Sequence, residues 1–197
     1  MNTSEKQMSH EESLALIQSM INSARNKVAE DGFQFLLWGV LVIIASLVNY
    51  LLILQGFADK AGLVWMIMPL VGAPIAFIYE KRKSKGPQVE TYADKSAGYI
   101  WMSYGITLFF TIFYACYLQT SPIPFILLLT GMATFSSGLI LEFKPLLFGG
   151  IIFWIFAIIT FFTDPAMHLL LNAGAIALGY LVPGLMLRRQ ANSNVNV

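Results

Sequence analysis

The stretch FLLWGVLVIIASLVNYLLIL, Phe35–Leu54, decides the fold, because it contains no Asp, Glu, Lys, Arg or His. A run of this length is what a helix needs to cross a hydrocarbon core of ~30 Å. Five further runs of similar length follow it, and none of the six alternates apolar with polar residues, so they predict helices rather than a barrel. We predict an all-α polytopic membrane protein with six transmembrane helices, the other five being Leu63–Tyr79, Ile100–Leu118, Ile123–Leu141, Leu146–Phe162 and Leu169–Leu187.

The composition agrees with this class. Of the 197 residues, 57% are hydrophobic and 12% are charged, and the mean hydropathy is +0.67, which excludes an ordinary soluble globule. We divide the chain into a cytosolic segment 1–32 with an amphipathic helix 10–30, a membrane domain 33–189 and a disordered cytosolic tail 190–197. The first span begins too far into the chain, and is too long, for a cleavable signal peptide.

Basic residues are distributed very unevenly around the predicted spans. With the N-terminus in the cytosol, all Lys and Arg residues except Lys60 fall on the cytosolic side, and each cytosolic loop agrees with this orientation. The positive-inside rule therefore predicts a multi-pass protein of the bacterial inner membrane with both termini cytoplasmic. The densest basic run, which anchors this topology and is also suited to anionic lipid, is Lys81, Arg82, Lys83 and Lys85.

The segment before the first span has the pattern of an amphipathic helix. Its apolar side chains recur at spacings of three and four and share one face: Leu14, Ile17, Met20, Ile21, Ala24 and Val28. Arg25 and Lys27 border this face, where their stems lie along apolar surface and their charges reach headgroups. Three interpretations stand: contact with the bilayer or the protein's own cytosolic face, docking to a partner protein, and self-association.

The run ESLALIQSMINSARNKVAEDGFQFLLWG, Glu12–Gly39, resembles the opening of a family of small, uncharacterised bacterial multi-span integral membrane proteins with an N-terminal cytosolic helix. The resemblance covers about the first 55 residues, and beyond them it rests mainly on hydropathy. It implies an architecture and no chemistry. More loosely, a cytosolic helix joined to spans is similar to membrane proteins that sense the envelope and hold a transcription regulator.

Residue types separate among the predicted spans. The second, fourth and sixth carry small residues four apart, such as Gly72 with Ala76 and Thr134 with Gly138, whereas the third and fifth are rich in aromatic residues. Small residues allow close helix packing in lipid. We therefore expect the even spans at the centre, the aromatic spans toward lipid, and bends at the prolines. Aromatic–glycine steps at Trp38, Tyr104 and Phe148 further suggest a threefold hairpin repeat, although alternating topology alone produces part of that pattern.

Recognisable chemistry is sparse. The predicted spans contain no ionisable Asp, Glu, Lys, Arg or His, which weighs against an ion- or proton-coupled carrier. His10 lies in the front helix and His168 in an outer loop, and Cys116 has no cysteine to pair with. No hydrolase, metalloprotease or nucleotide-binding motif is present. We predict no enzymatic activity, no catalytic residue, no cofactor and no metal.

One polar seam joins the third and fourth spans. Its members recur at helical spacing on one face of each span: Tyr104, Thr107, Thr111 and Tyr114, then Thr130, Thr134 and Ser137. One interpretation is a narrow cavity for a small uncharged ligand or lipid headgroup. The other, which we favour, is that the hydroxyls bond to carbonyls of their own helices. Asn49 and Asn172 are similarly expected to bond across the first and sixth helices.

These observations favour a non-enzymatic membrane accessory or signalling protein whose cytosolic face contacts a partner or the inner leaflet. The alternative is a small passive transporter, or a transporter subunit, that uses the polar seam. The expected partners are the lipid bilayer and a cytosolic or membrane protein. Nucleic acid is not expected, because the basic run is short and lies against the membrane. The sequence defines neither a ligand nor an oligomeric state.

Overall fold

The computed structural model describes residues 33–83, 92–140 and 142–186, which are helical and contain no strand. We number the helices in chain order. They are α1 (Phe33–Leu54), α2 (Ala58–Ala61), α3 (Leu63–Lys83), α4 (Tyr92–Leu118), α5 (Ile123–Ile140), α6 (Lys144–Thr160) and α7 (Pro165–Met186). Within α7, Pro165–Ile176 is α-helical and Ala177–Leu181 is a π-helical segment.

Several of these helices are long and apolar enough to span a membrane. Five spans meet the length criterion: Phe33–Leu54, Ala58–Tyr79, Lys95–Leu118, Ile123–Ile140 and Pro165–Met186. The fifth predicted span corresponds to α6, an apolar helix of 17 residues that is shorter than the others. The all-helical fold is therefore confirmed, and several helices are long and apolar enough to span a membrane, whereas their placement in a membrane stays a prediction. The number six stays a prediction, and the front helix 10–30, the tail 190–197 and Lys85 lie outside the described residues.

Three helices end with the same backbone cap. Gly56, Gln119 and Glu142 follow α1, α4 and α5 and have φ values of 83°, 53° and 51°. After α5, for example, the N–H of Phe143 donates to the carbonyl of Gly138 at 2.9 Å, as in a Schellman motif. Gly56 adopts this left-handed conformation without strain, whereas Gln119 and Glu142 do so at a cost.

The centre of the molecule is formed by α5, α6 and α7. Among the contacts between α2, α3, α4, α5, α6 and α7, the one between α5 and α6 is the most extensive, and Leu127, Leu146 and Phe153 are fully buried around it. The backbones cross closely at Gly131 and Gly150, where a Cβ on Gly150 would come within 2.9 Å of the Gly131 carbonyl oxygen. Such close approach is the usual basis of helix association in lipid.

The remaining helices lie outside this centre. α1 packs on α7, where the Gly39 backbone meets the Leu181 side chain, and α3 packs on α1, where Leu41 contacts Gly72. α4 packs mainly on α5. In the most apolar stretch of each span, 50% of the residues are buried in α5, compared with 11% in the α2–α3 span and 6% in α4.

The predicted packing order is therefore partly wrong. α5 and α7 are central and α4 is peripheral, as expected, but α3 is peripheral and the aromatic helix α6 is central. The reason lies in the adjacent glycines Gly149 and Gly150, which let α6 approach a neighbour on each side. The packing also differs between the three predicted hairpins, since the most extensive contact joins α5 of one hairpin to α6 of the next.

One end of the bundle carries most of the described basic residues. Phe33 at the start of α1 stacks on Tyr79 near the end of α3, with ring centroids 3.7 Å apart. Trp101 near the start of α4 meets the Phe35 ring, and Gly184 near the end of α7 lies beside the Cβ atom of Phe35. We call this the basic end, because it holds Lys81, Arg82, Lys83, Lys95 and Lys144. Lys60 lies at the opposite end.

Candidate functional site

Only one pair of the predicted polar seam meets across helices. The Tyr104 hydroxyl of α4 lies 3.0 Å from Thr130 Oγ1 of α5. Thr130 donates its only hydroxyl proton to the carbonyl oxygen of Ile126 at 2.7 Å, so Tyr104 must be the donor between the two hydroxyls. The pair is a direct contact, with no space for a ligand between the two oxygens.

The other members of the seam do not converge. Thr107, Thr111 and Ser137 each donate at 2.8 Å to the carbonyl four residues earlier in their own helix. Tyr114 is 62% exposed on the outside of α4. Thr134 is fully buried, and its hydroxyl has no hydrogen-bond partner in the described part of the chain. With the bond from Thr130 to Ile126, back-bonding accounts for four of the seam hydroxyls, and Thr134 has no hydrogen bond within the described residues.

An aromatic cluster that the sequence did not predict lies next to Tyr104. Tyr180 of α7 is its hub, with ring centroids 4.6 Å from Phe35, 6.2 Å from Trp101 and 6.3 Å from Phe153. Trp101 also meets Tyr104 edge-on at 5.3 Å. Edge-to-face aromatic pairs stabilise by about 0.5–1.5 kcal/mol beyond area burial. The cluster therefore ties α1, α4, α6 and α7 together in the half of the bundle near the basic end.

The hub belongs to the π-helical segment Ala177–Leu181, which is held between two glycines. Gly39 of α1 lies against Tyr180 and Leu181, and Gly149 of α6 lies against Gly179. A Cβ on Gly149 would collide with the carbonyl oxygen of Gly179. No side chain larger than hydrogen fits there without moving a backbone, so these contacts determine how closely α7 approaches its neighbours.

Pro183 explains why the helix changes register at this point. Proline has no N–H to donate to the carbonyl four residues earlier, which here belongs to Gly179. Within the π segment, the Val182 N–H donates to the carbonyl of Ala177, five residues earlier. The sequence predicted bends at the prolines, of which Pro183 is one. It specified neither a π-helical segment nor the contact of that segment with Gly149.

Amide side chains connect helices in the half of the bundle opposite the basic end. Asn172 of α7 donates to the Ser46 hydroxyl of α1 at 2.9 Å, and both residues are buried. Asn49, which is also buried, instead donates to the carbonyl of Ala61 in α2 at 3.0 Å. A bond between the first and last helices was expected, and Ser46 is the residue of α1 that accepts it.

His168 links two interhelical turns. The sequence placed it in an outer loop, but it lies in the first turn of α7 and is 6% exposed. Its Nε2 lies 3.1 Å from the carbonyl oxygen of Thr163, which can only accept, so Nε2 carries a proton. Its Nδ1 lies 2.9 Å from the hydroxyl of Ser121 in the α4–α5 turn. Both ring nitrogens are thus used in connecting the ends of helices.

The described part of the basic anchor is exposed. Lys81 and Arg82 project from the end of α3, and Lys81 Nζ lies 4.7 Å from the centroid of the Phe77 ring. The Lys83 and Lys85 side chains and the front-helix face lie outside the part of the chain that the structure describes. Among the residues that the structure describes, no group of three or more His, Cys, Asp or Glu is arranged to hold a metal ion, and Cys116 is exposed.

Comparison with known proteins adds no relative. No protein-family model matches the chain, no curated protein matches it, and no solved structure matches its fold. The resemblance of Glu12–Gly39 to a family of small membrane proteins therefore stays an expectation from the sequence.

Proposed function

We propose that this chain is a multi-pass protein of a bacterial inner membrane with both termini in the cytoplasm, and that it acts as a non-enzymatic accessory or signalling component. The observation that carries the proposal is the gathering of Lys81, Arg82, Lys95 and Lys144 at one end of the bundle, with Lys60 at the other. Basic residues of short loops remain on the cytoplasmic side of a membrane.

The internal polar groups support a structural role for the helices. Asn172 and His168 bond to neighbouring elements, and the hydroxyls of Thr107, Thr111 and Ser137 bond to their own helices. Groups engaged in this way stabilise a helix bundle. This favours the cytoplasmic surface as the part of the chain that contacts other molecules. The front-helix face, which precedes α1 at the basic end, is the proposed contact with a partner or with the inner leaflet.

Co-purification after crosslinking in the native membrane tests this proposal. Ile17→Asp with Ile21→Asp places charge on the apolar face of the front helix, and Ser19→Asp with Ser23→Asp adds the same charge on its other face. We expect a protein captured by the parent chain to be lost from the first double variant and retained by the second. Equal retention by both variants would contradict docking through that face.

A passive transporter is the second candidate, and one observation favours it: the fully buried Thr134 hydroxyl has no partner in the described part of the chain. An unpaired buried hydroxyl usually requires an explanation. Solute flux into liposomes containing the purified protein tests this candidate. Flux that falls when Thr134 is changed to Val, while the fold is retained, would support transport over docking.

A further inference from the structure

The basic end of α3 presents two exposed cations above an exposed apolar surface. Lys81 and Arg82 are both exposed, and no described carboxylate forms a salt bridge with either. Their described surroundings are aromatic and aliphatic side chains of the same helix. Two exposed cations with no described acidic partner, at the end of a helix of spanning length, are complementary to an anion supplied from outside the protein.

The position of the Lys81 ammonium is informative. A lysine at the end of a membrane helix ordinarily extends outward so that its charge reaches water. Here Nζ lies 4.7 Å from the Phe77 ring centroid, one turn back along α3 toward the middle of the helix. Helical side chains lean toward the N-terminus of their helix, which for α3 is the opposite end of the bundle. The ammonium is therefore turned back over the Phe77 ring instead of extending away from the end of the helix.

The surface beside this ammonium is apolar and open. Phe77 is 57% exposed and Ile78 is 51% exposed. Among the described helices, α3 packs on α1 and makes no comparably extensive contact with α4, α5, α6 or α7. An apolar strip that ends in two cations matches the outline of a phospholipid, with acyl chains along the strip and a phosphate at the cations.

We propose that Lys81 and Arg82 bind the headgroup phosphate of an anionic phospholipid whose acyl chains lie along Phe77 and Ile78. A zwitterionic lipid carries its own ammonium beside the phosphate, which opposes the two protein cations, whereas an anionic headgroup leaves its charge for them. Each basic residue near an anionic membrane surface contributes about 1 kcal/mol. The site requires only that α3 ends at a membrane surface, so it is independent of the proposed orientation and function.

The test uses the full chain in nanodiscs that contain equal amounts of phosphatidylglycerol and phosphatidylcholine with identical acyl chains. Native mass spectrometry measures the ratio of the two lipids that remain bound. Lys81→Gln and Arg82→Gln are each expected to lower the preference for phosphatidylglycerol about fivefold, which corresponds to the ~1 kcal/mol expected per basic residue. Lys60→Gln removes an exposed lysine that follows Asp59 at the opposite end, and is expected to lower the preference less than either of these variants.

Charge-preserving variants separate binding from folding. Lys81→Arg and Arg82→Lys are expected to keep the preference, because each retains a cation at the surface. An unchanged ratio in the Lys81→Gln/Arg82→Gln double variant would overturn the proposal, and so would an equal loss in Lys60→Gln. Displacement of the lipid by millimolar inorganic phosphate or glycerol phosphate would also overturn it, because the ligand would then be a free phosphate rather than a lipid.

Discussion

α5 and α4 are neighbouring apolar helices of spanning length, yet 50% of the most apolar stretch of α5 is buried and only 6% of that of α4. Hydropathy distinguishes them poorly, because each meets the requirement set by bilayer thickness. The residues at the crossings do distinguish them. α5 meets α6 through Gly131 and Gly138, whereas Gly105 of α4 faces open space. Membrane insertion and helix association thus depend on different features of the same chain.

The largest effect should come from the glycine at the crossing of α6 and α7. Gly149→Ala would place a Cβ against the Gly179 carbonyl oxygen and should lower the free energy of unfolding by about 3 kcal/mol, as overpacking of a tight contact does. Steric trapping in bilayers measures this quantity. Gly105→Ala is the matched control, because a Cβ there meets nothing within 4 Å. The control should be neutral or slightly stabilising, since alanine favours helix more than glycine.

Equal losses of stability in the two alanine variants would contradict the assignment of α6 and α7 to the centre and α4 to the periphery. That result would mean that α4 is packed against something as closely as α6 is packed against α7. A loss in Gly105→Ala alone would reverse the assignment of centre and periphery.

An intermediate effect is expected for the bond between α7 and α1. Asn172→Leu removes the donor to Ser46 and should cost about 1 kcal/mol of unfolding free energy, the scale of interhelical bonds in membranes. A double-mutant cycle with Ser46→Ala isolates the pair, and a coupling energy near zero would contradict the bond. Thr107→Val on α4 should change stability by less than about 0.5 kcal/mol, because that hydroxyl bonds only its own helix.

The smallest effect concerns the polar contact between α4 and α5. Tyr104→Phe removes the hydroxyl that donates to Thr130 and should cost about 0.6 kcal/mol, while Thr130 keeps its bond to Ile126. Tyr114→Phe removes a hydroxyl from the same helix at a side chain that is 62% exposed, and should have no measurable effect. Equal effects in the two variants would show that α4 is not held to α5 through Tyr104.

The helices were largely predictable because bilayer thickness determines their length. α5 was predicted as Ile123–Leu141 and extends over Ile123–Ile140. The side-by-side order was less predictable, since the pattern of small residues does not specify which neighbour each one meets. Gly149 and Gly150 lie in an aromatic helix, and only their two different neighbours show why α6 is central.

The candidate site was predictable only in part. The seam residues were correctly located on α4 and α5, but spacing along a helix does not determine whether a hydroxyl bonds its own backbone or a neighbour. Tyr180 became a hub because Pro183 alters the register of α7 and brings α1 and α6 close on either side. His168 was assigned to a loop because a helix that begins at Pro165 leaves little hydropathy signal in its first turn.

The most direct test of the account is the side of the membrane at which each end of the bundle lies. In a Cys116→Ala background, Lys144→Cys reports the basic end and Lys60→Cys the opposite end, and both lysines are exposed. A membrane-impermeant maleimide applied to intact spheroplasts should label Lys60→Cys at once and Lys144→Cys only after permeabilisation. Immediate labelling of Lys144→Cys with protection of Lys60→Cys would contradict the cytoplasmic assignment of the basic end.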